Sequence, residues 1–422
     1  MELRPGYKQT EVGVIPEDWE VKMLGEIGES LIGLTYSPRD VREQGILVLR
    51  SSNIQGDALC FANNVFVDVP VPERIMVRAG DILICVRNGS RELIGKCALI
   101  DARCSGMTFG AFMAIFRTSH WNFVHHGFRS NLLKVQVREH LGATINQITN
   151  KSLNSFLLAI PPTLPEQHTI ATALSDADGL IEALEDLIAK KRLIKQGAMQ
   201  ELLTGKRRLP GFSGEWGVFS LGNLFNISGG LSASRDQLGN TGICYLHYGD
   251  IHMSSHSYVD LQRDLGRLPK LDVPMSEVPS RSLLTDGDVV FVDASEDEVG
   301  TSKHVVVANP NGVPFIAGLH TIVAKAKTGM LLPAYLRHCF QATAVKRQFR
   351  FFAVGTKVLG VSKTNIAKVE VLVPPLPEQT AIATILSDMD VEIDALTAKL
   401  AKARDVKQGM MQELLTGRIR LI

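Results

Sequence analysis

No stretch of this sequence approaches the roughly 18 consecutive apolar residues that a membrane span requires. The first ten residues are polar, carry Arg4, Pro5 and Lys8, and have no apolar run behind them, so no secretory leader is expected. Cysteine is scarce: Cys60, Cys85, Cys97, Cys104, Cys244 and Cys339 are the only six in 422 residues, and none forms a C-x-x-C pair. A disulfide framework belongs to short, cysteine-dense chains, so these read as small buried hydrophobes in a reduced, soluble, cytoplasmic protein. Charge of one sign is not in excess either. Lys and Arg total 45, Asp and Glu 44, and the net charge is +1. A protein gripping DNA with its whole surface would be more basic. Either the basic groups are focused locally or a partner supplies much of the phosphate contact.

Signatures of catalysis are missing as well. There is no G-x-x-x-x-G-K-[ST] loop to cradle ATP phosphates, and no G-x-G-x-x-G after a strand for a dinucleotide or similar cofactor. The Asn-Pro-Pro-aromatic signature of adenine methyltransferases is absent. Asn309-Pro310-Asn311-Gly312 reads as a turn, and Pro161-Pro162 and Pro374-Pro375 lack the preceding Asn. Asp18 and Glu20-Val21-Lys22 carry nuclease residue types at too tight a spacing, around a Trp19 that reads as a structural anchor. His247, His252 and His256, near Asp250 and Asp260, have the residue types of a metal site. No matching cluster occurs in the first half, so they read as polar loop residues. Glu296-Asp297-Glu298 reads as a solvated loop; its carboxylates also suit Mg²⁺ or the amino groups of cytosine.

What the chain does contain is a long internal repeat. Leu164-Pro165-Glu166-Gln167 returns as Leu376-Pro377-Glu378-Gln379, 212 residues later (164 to 376). At the same offset Ile170-Ala171-Thr172 matches Ile382-Ala383-Thr384, and Ser175-Asp176 matches Ser387-Asp388. Met199-Gln200-Glu201-Leu202-Leu203-Thr204-Gly205 matches Met411-Gln412-Glu413-Leu414-Leu415-Thr416-Gly417. The segments before these blocks are related more weakly: Trp19 and Leu24-Gly25 correspond to Trp216 and Leu221-Gly222, and Gly80-Asp81 to Gly287-Asp288. The composition, 45% hydrophobic and 21% charged, is that of globular domains. The expected plan is residues 1–160, a helical block over 161–209, a second domain over 210–373, and a second block over 374–422. A duplicated scaffold keeps its pairing surfaces, whereas a duplicated reader diverges where it touches its target.

Pro165 to about Thr204 contains no internal proline and reads as one long helix, with Gly205 past its end. Apolar or small residues at 170, 173, 177, 180, 184, 187, 194 and 198 give a 3–4 alternation broken by Lys191, with Leu174, Ile181 and Ile188 in a row beside it. The second block repeats this with Ile382, Ile385, Met389, Leu396, Ala403, Val406 and Met410, interrupted by Glu392 and Lys399, and with Leu386, Ile393 and Leu400 alongside. Neither helix can bury so wide a stripe alone, and each large apolar side chain buried contributes roughly 1.5–3 kcal/mol. The two helices are therefore expected to pack antiparallel, with the domains at opposite ends of a pseudo-two-fold arrangement. The domains read as mixed α/β. Strands are expected at Ile46–Leu49, Asp81–Val86, Ala111–Phe116, Val289–Val292, Val305–Val307 and Thr321–Ala324, and at Phe156–Ile160 and Val369–Val373. Helices are expected near Val124–Glu139 and Pro333–Phe349.

These motifs resemble the specificity subunits of type I restriction–modification systems. The opening run from Tyr7 to Glu20 is similar to that family's lead into its first target-recognition domain. Pro161-Pro162 through Gln167, Pro374-Pro375 through Gln379, and the two Lys-Gln-Gly-x-Met-Gln-Glu-Leu-Leu-Thr-Gly runs are similar to its conserved helical regions. The resemblance implies a non-catalytic subunit with two target-recognition domains, each reading part of a split double-stranded DNA site. It implies docking of two methyltransferase subunits on the helices and, through them, restriction subunits. S-adenosylmethionine, ATP and Mg²⁺ would belong to those partners. The packing and docking residues would be Ile170, Leu174, Ile181, Leu184, Ile188, Ile382, Leu386, Ile393, Leu396 and Leu400. Other readings are the specificity component of a complex whose methylation and cleavage partner is a single fused protein, a catalytic methyltransferase or nuclease, and a coiled-coil scaffold.

Within that reading, base contacts are expected from corresponding loops. Arg50, Ser51, Ser52 and Asn53 follow the first paired strand, and His247, Tyr248 and Asp250 occupy that place in the second half. Arg87, Asn88, Ser90 and Arg91 follow the Gly-Asp strand, against Asp293, Ser295 and Glu296. Arg and Asn suit bidentate contacts to guanine and adenine. Thr35, Ser37, Ser232 and Ser234, in early loops, and Asn146, Lys151, Lys357 and Lys363, beside the Gly142 and Gly355 turns, are candidates for phosphate.

Overall fold

The computed structural model describes residues 4–142, 146–296 and 300–421. It forms two compact units. Residues up to Glu185 and those from Ala398 onward make the first, and Asp186–Thr397 makes the second.

The layers of each unit follow from a strand that is apolar on both faces. In the first unit Ile82–Cys85 is wholly buried. Successive side chains on a strand point to opposite faces. Ile82 and Ile84 therefore join a core with Trp19, Phe116, Phe123 and Phe128, while Leu83 and Cys85 join another with Leu31, Leu49 and Phe109. The strand sits inside an antiparallel sheet ordered Cys97–Leu99, Ile82–Cys85, Met113–Arg117, Glu29–Ile32. Helices Trp121–Arg129 and Asn131–Leu141 supply the core on one face. A smaller sheet lies on the other, with Thr108–Phe109 running parallel to Ile46–Leu49. Glu20–Met23 pairs antiparallel with Leu157–Ile160, joining the unit's beginning to the strand that leads into its long helix.

The second unit repeats the plan. Val289 and Phe291 enter one core, Val290 and Val292 the other. Its main sheet runs Phe225–Gly229, Thr321–Ala326, Val289–Val292, His304–Ala308, Tyr258–Asp260, the last strand parallel to its neighbour. Ile243–Leu246 pairs parallel with Phe315–Ala317, and Gly217–Ser220 antiparallel with Glu370–Val373. Individual hydrogen bonds recur. The Gln136 side chain bonds both backbone groups of Leu157, and Gln348 does the same to Glu370. The helix expected near Val124–Glu139 is two helices, because Ser130 is extended and its hydroxyl donates to the Gly127 carbonyl at 2.6 Å. The one expected over Pro333–Phe349 likewise divides into Pro333–Cys339 and Thr343–Phe352.

The long helices run Leu164–Leu202 and Leu376–Leu414, 39 residues each. Their segments pair antiparallel inside each unit. In the first, Asp178 bonds Lys407 and Glu185 pairs with Arg404. In the second, Lys191 pairs with Glu392 and Lys195 with Asp390. Ile170, Leu174, Leu184, Ile188, Ile382, Leu386, Ile393 and Leu400 are buried, with Ile181 and Leu396 partly so. The row containing Leu180, Leu187 and Ile194, read as the seam from sequence, is instead exposed, as is Val406. Lys191 and Glu392, which looked like interruptions, pair with each other.

The repeated Pro-Glu-Gln motif has a structural purpose at each helix start. Glu378 is fully buried and accepts two bonds from Arg208, both 2.6 Å, and one from the Trp216 indole at 2.9 Å. Glu166 is held the same way by Arg420, which also reaches Asp18. Gln167 and Gln379 donate to the carbonyls of Pro161 and Pro374. Past each helix end, Gly205 and Gly417 have φ of 66° and 67°, a left-handed conformation that glycine adopts without a Cβ clash. A Cβ at Gly417 would lie 2.6 Å from Pro16 and 3.1 Å from Trp19.

Buried histidines join the domains to these helices. His126 bonds the Ser175 hydroxyl and His338 that of Ser387, both at 3.1 Å. Burial pushes both imidazoles down to about 4, as it does His304, and His125 to about 3. Each stays neutral when folded but takes a proton near its ordinary value of about 6.5 once unfolded. Their contribution is therefore complete above pH 6.5 and is lost progressively as the pH falls towards about 4. Denaturant midpoints measured across that range are expected to fall with acid, and replacing His126 and His338 with Gln to flatten the decline.

Candidate nucleic-acid interface

In the first unit, the parallel pair Ile46–Leu49 and Thr108–Phe109 brings the loops after both strands to one edge. Close approach there demands glycine. A Cβ on Gly33 would sit 2.3 Å from the Gly110 carbonyl oxygen. The second unit repeats this, with a Cβ on Gly230 falling 2.0 Å from the Gly318 oxygen. Leu34 and Leu231 then donate to Phe109 and Ala317, each at 2.7 Å.

Beside this junction lies a cleft of about 870 Å³ in the first unit. It gathers Thr35, Arg50, Ser51, Ser52, Arg87 and Asn88, six residues that the sequence singled out, from three separate loops. Lys96 lies among them and donates to the carbonyls of Ser51 (2.6 Å) and Ile54 (3.0 Å). Asn88 donates to the Ser51 hydroxyl at 3.0 Å and accepts from the Ser90 amide. Asn53 is fully buried. It accepts from the Arg50 amide and donates to the Cys60 carbonyl, both 2.9 Å, so it shapes the loop from inside. Ser37 caps a short turn by accepting from the Arg39 amide, outside the cleft lining. Ser90, Arg91, Asn146 and Lys151 are exposed and not among the lining residues; Arg91 bonds the Gly142 carbonyl.

Sequence reasoning missed Phe112 and Tyr36, which also line the cleft. Phe112 was read as part of a strand from Ala111. The strand begins at Met113, whose amide bonds the Gly110 carbonyl at 2.8 Å, so Phe112 stands in the preceding turn, 57% exposed.

The matching edge of the second unit has different chemistry. His247 is buried and accepts from the Gly249 amide, while Asp250 accepts from the His247 amide. Burial raises the Asp250 carboxyl and lowers the His247 imidazole. Tyr248 is the centre of a ring cluster, 4.4 Å from His247, 5.4 Å from His320 and 6.1 Å from His252. His320 contacts Asp293 at 3.1 Å. Ser295 is buried and Glu296 exposed; Asp297 and Glu298 of the acidic run lie outside the described residues. Ser232 is exposed, and the Ser234 amide donates to Gln237. Lys357 and Lys363 are exposed, the latter with its ammonium over Gly229. His252 bonds the Ala294 carbonyl and His256 faces Asp394, so the histidine cluster does not converge. Among the described residues no group of three or more His, Cys, Asp and Glu is arranged for a metal, and no helix is long and apolar enough to cross a membrane.

Each unit also has a cleft where its domain meets the helices. The first, about 1170 Å³, is lined by Asp178, Ile181, Arg404, Lys407, Gln408 and Met411, among others. The second, about 640 Å³, is lined by the repeat counterparts of these six, Asp390, Ile393, Arg192, Lys195, Gln196 and Met199. The helix clefts are thus duplicated, whereas the loop edges differ.

Comparison with known proteins agrees with this duplication. The family described as the type I restriction modification DNA specificity domain matches residues 16–190 and again 213–403. The chain belongs to that family and is a type I restriction–modification specificity subunit. It is 24% identical over 441 residues to the type I restriction enzyme EcoKI specificity subunit of Escherichia coli (strain K12), covering 96% of this chain and 90% of that one. It is 24% identical over 438 residues to the StySPI specificity subunit of Salmonella potsdam, covering 96% and 89%. The crystal structure of a type I S subunit from M. genitalium shares the fold, with a TM-score of 0.56, 14% identity and 98% of each chain covered.

The internal bonding of Asn53 separates shaping from reading. Asn53→Ala leaves buried partners unsatisfied and is expected to lower stability by about 1–3 kcal/mol. Chemical denaturation would measure that loss.

Proposed function

We propose that the two units read the two parts of a bipartite, asymmetric site in double-stranded DNA, and that the chain carries no catalytic centre of its own. One observation supports this above the rest: on a repeated frame, the same edge carries Arg50 and Arg87 in one unit and Tyr248, Asp250 and Asp293 in the other. Base edges in the major groove differ in their donors and acceptors, so unlike side chains at like positions suit unlike half-sites. Thr35, Ser51 and Ser52 in the first unit and Ser232, Tyr248 and Glu296 in the second would contribute polar contacts. Lys151, Lys357, Lys363 and Asn146 would meet phosphates, which fix register without carrying sequence. Asn53, His247 and Ser295, being buried, would act by holding their loops.

The duplicated helix clefts support docking of two copies of one partner, which we take to be methyltransferase subunits. Restriction subunits would join through them. The buried leucines and isoleucines of the helix pair are enclosed, so docking would use the cleft residues and exposed side chains such as Leu180, Leu187 and Val391. S-adenosylmethionine, ATP and Mg²⁺ would be bound by those partners. Methylating an adenine within a duplex requires extruding the base, and partners closing on the DNA would supply phosphate contacts that a subunit of net charge +1 has in short supply. Such a complex would work in the cytoplasm.

Two experiments test this reading. Exchanging residues 1–160 for those of another family member is expected to change one half of the methylated motif and leave the other, as read by sequencing modified bases in the host genome. An unchanged motif, or one altered in both halves, would count against it. Inserting seven residues into both helical blocks keeps the 3–4 alternation and adds about 10 Å at about 1.5 Å per residue. At about 3.4 Å per base pair, the spacer is expected to lengthen by about two to three base pairs with both half-sites intact.

A further inference from the structure

We infer that the first unit reads a guanine through Arg87, whereas the corresponding place in the second unit does not take guanine this way. The inference rests on the DNA-reading role proposed above. Arg87 stands at the rim of the loop cleft with its guanidinium over the Phe112 ring, 5.0 Å from the centroid. That side chain makes no hydrogen bond or ion pair among the described residues. Stacking holds the planar group while leaving its edge, with its fork of donors, free. Guanine presents two adjacent acceptors, O6 and N7, in the major groove, and a guanidinium edge matches them bidentately.

The rest of the cleft favours the same ligand. Among the described residues no Asp or Glu lines it, while Arg50, Arg87 and Lys96 do. Arg50 Nε and Ser52 Oγ are buried without hydrogen-bond partners among the described residues. Three cationic side chains without a lining carboxylate make a ligand rich in acceptors the complement of this cleft. Leu34, Tyr36 and Leu93 give it apolar walls. A phosphate diester needs only an open basic surface, whereas a walled cleft with an oriented guanidinium suits a base edge.

The second unit shows how specific the arrangement is. The Val86 amide bonds the Phe112 carbonyl, and the Asp293 amide bonds the His320 carbonyl one step beyond Cys85–Met113 and Val292–Thr321, so His320 stands at the place of Phe112 and Ala294 at that of Arg87. Ala294 offers no guanidinium at that place, and the ring there meets the carboxylate of Asp293 instead, at 3.1 Å. A carboxylate accepts from the amino groups of cytosine or adenine and repels the acceptor face of guanine.

The test uses the full chain in its native host, with motifs read by sequencing methylated bases, and the purified complex bound to duplexes varied one base pair at a time. The half-site that moves with residues 1–160 is expected to contain a guanine preferred about 10- to 100-fold over other bases. Arg87→Ala is expected to reduce that preference to about 3-fold or less, with the other half-site unchanged. Arg87→Lys keeps the charge but loses the fork; it should loosen the same position, and it is read in the same way should Arg87→Ala abolish methylation. A half-site without guanine, or one still demanding it in both variants, overturns the inference while leaving two-part reading intact. Weakening of all sequences alike, with the salt dependence reduced by about one phosphate contact, would make Arg87 a backbone contact and overturn it too. If the unaltered chain gives no two-part motif, the proposed function itself fails.

Discussion

Two carboxylates almost out of reach of water, Glu166 and Glu378, hold the architecture of each unit together. A buried charge is tolerable only when it is paired and its remaining lone pairs are bonded, and removing one partner of such a pair costs about 3–5 kcal/mol. Glu378 meets that condition with both arms of Arg208 and the indole of Trp216. Three parts of the chain converge on it: the start of one long helix, the tail of the other, and the segment that begins the domain. Arg420 brings the same three parts together around Glu166. Once these clamps close, the helix segments in each unit must run antiparallel. The charged pairs Asp178–Lys407 and Lys195–Asp390 then fall into register, related by the same repeat.

Duplication of this frame explains why the family match occurs twice in one chain. It also accounts for the contrast between clefts. Six side chains lining the helix clefts, from Asp178 and Asp390 to Met411 and Met199, recur at the repeat offset. Those at the loop edges differ, while the glycine contacts that bring strands together, Gly33 against Gly110 and Gly230 against Gly318, are shared. Backbone geometry is held constant there, and side-chain chemistry varies on top of it. A reader can change its target in this way without moving its scaffold.

Much of this was legible in the sequence because it is periodic or repeated. The long helices, the strands buried on both faces, and the duplicated motifs all announce themselves through spacing. The rotation of the helix pair did not. Lys191 and Glu392 looked like breaks in a seam because a single sequence shows a charge but not the charge across from it. The loop candidates were found by correspondence between halves, and six of them do gather in one cleft. Pattern alone could not tell Asn53, which bonds inward, from Arg87, which does not, since both are polar residues in short loops. Phe112 escaped because an aromatic next to a strand looks like part of it until the turn at Gly110 is known.

The way each unit is assembled from distant stretches bears on the order of folding. Trp19, near the beginning of the chain, is covered on one side by Gly417 and Arg420, and Tyr7 donates to the Gly417 carbonyl at 3.0 Å. On a ribosome making about 5–20 residues per second, the stretch up to Glu185 would be made some 10–45 seconds before the segment from Ala398 that finishes the unit. During that interval the apolar row of its long helix has no mate. The first-made portion of this protein is thus among the last to be completed, and its sequence must keep an unfinished surface soluble until the final turn of helix arrives.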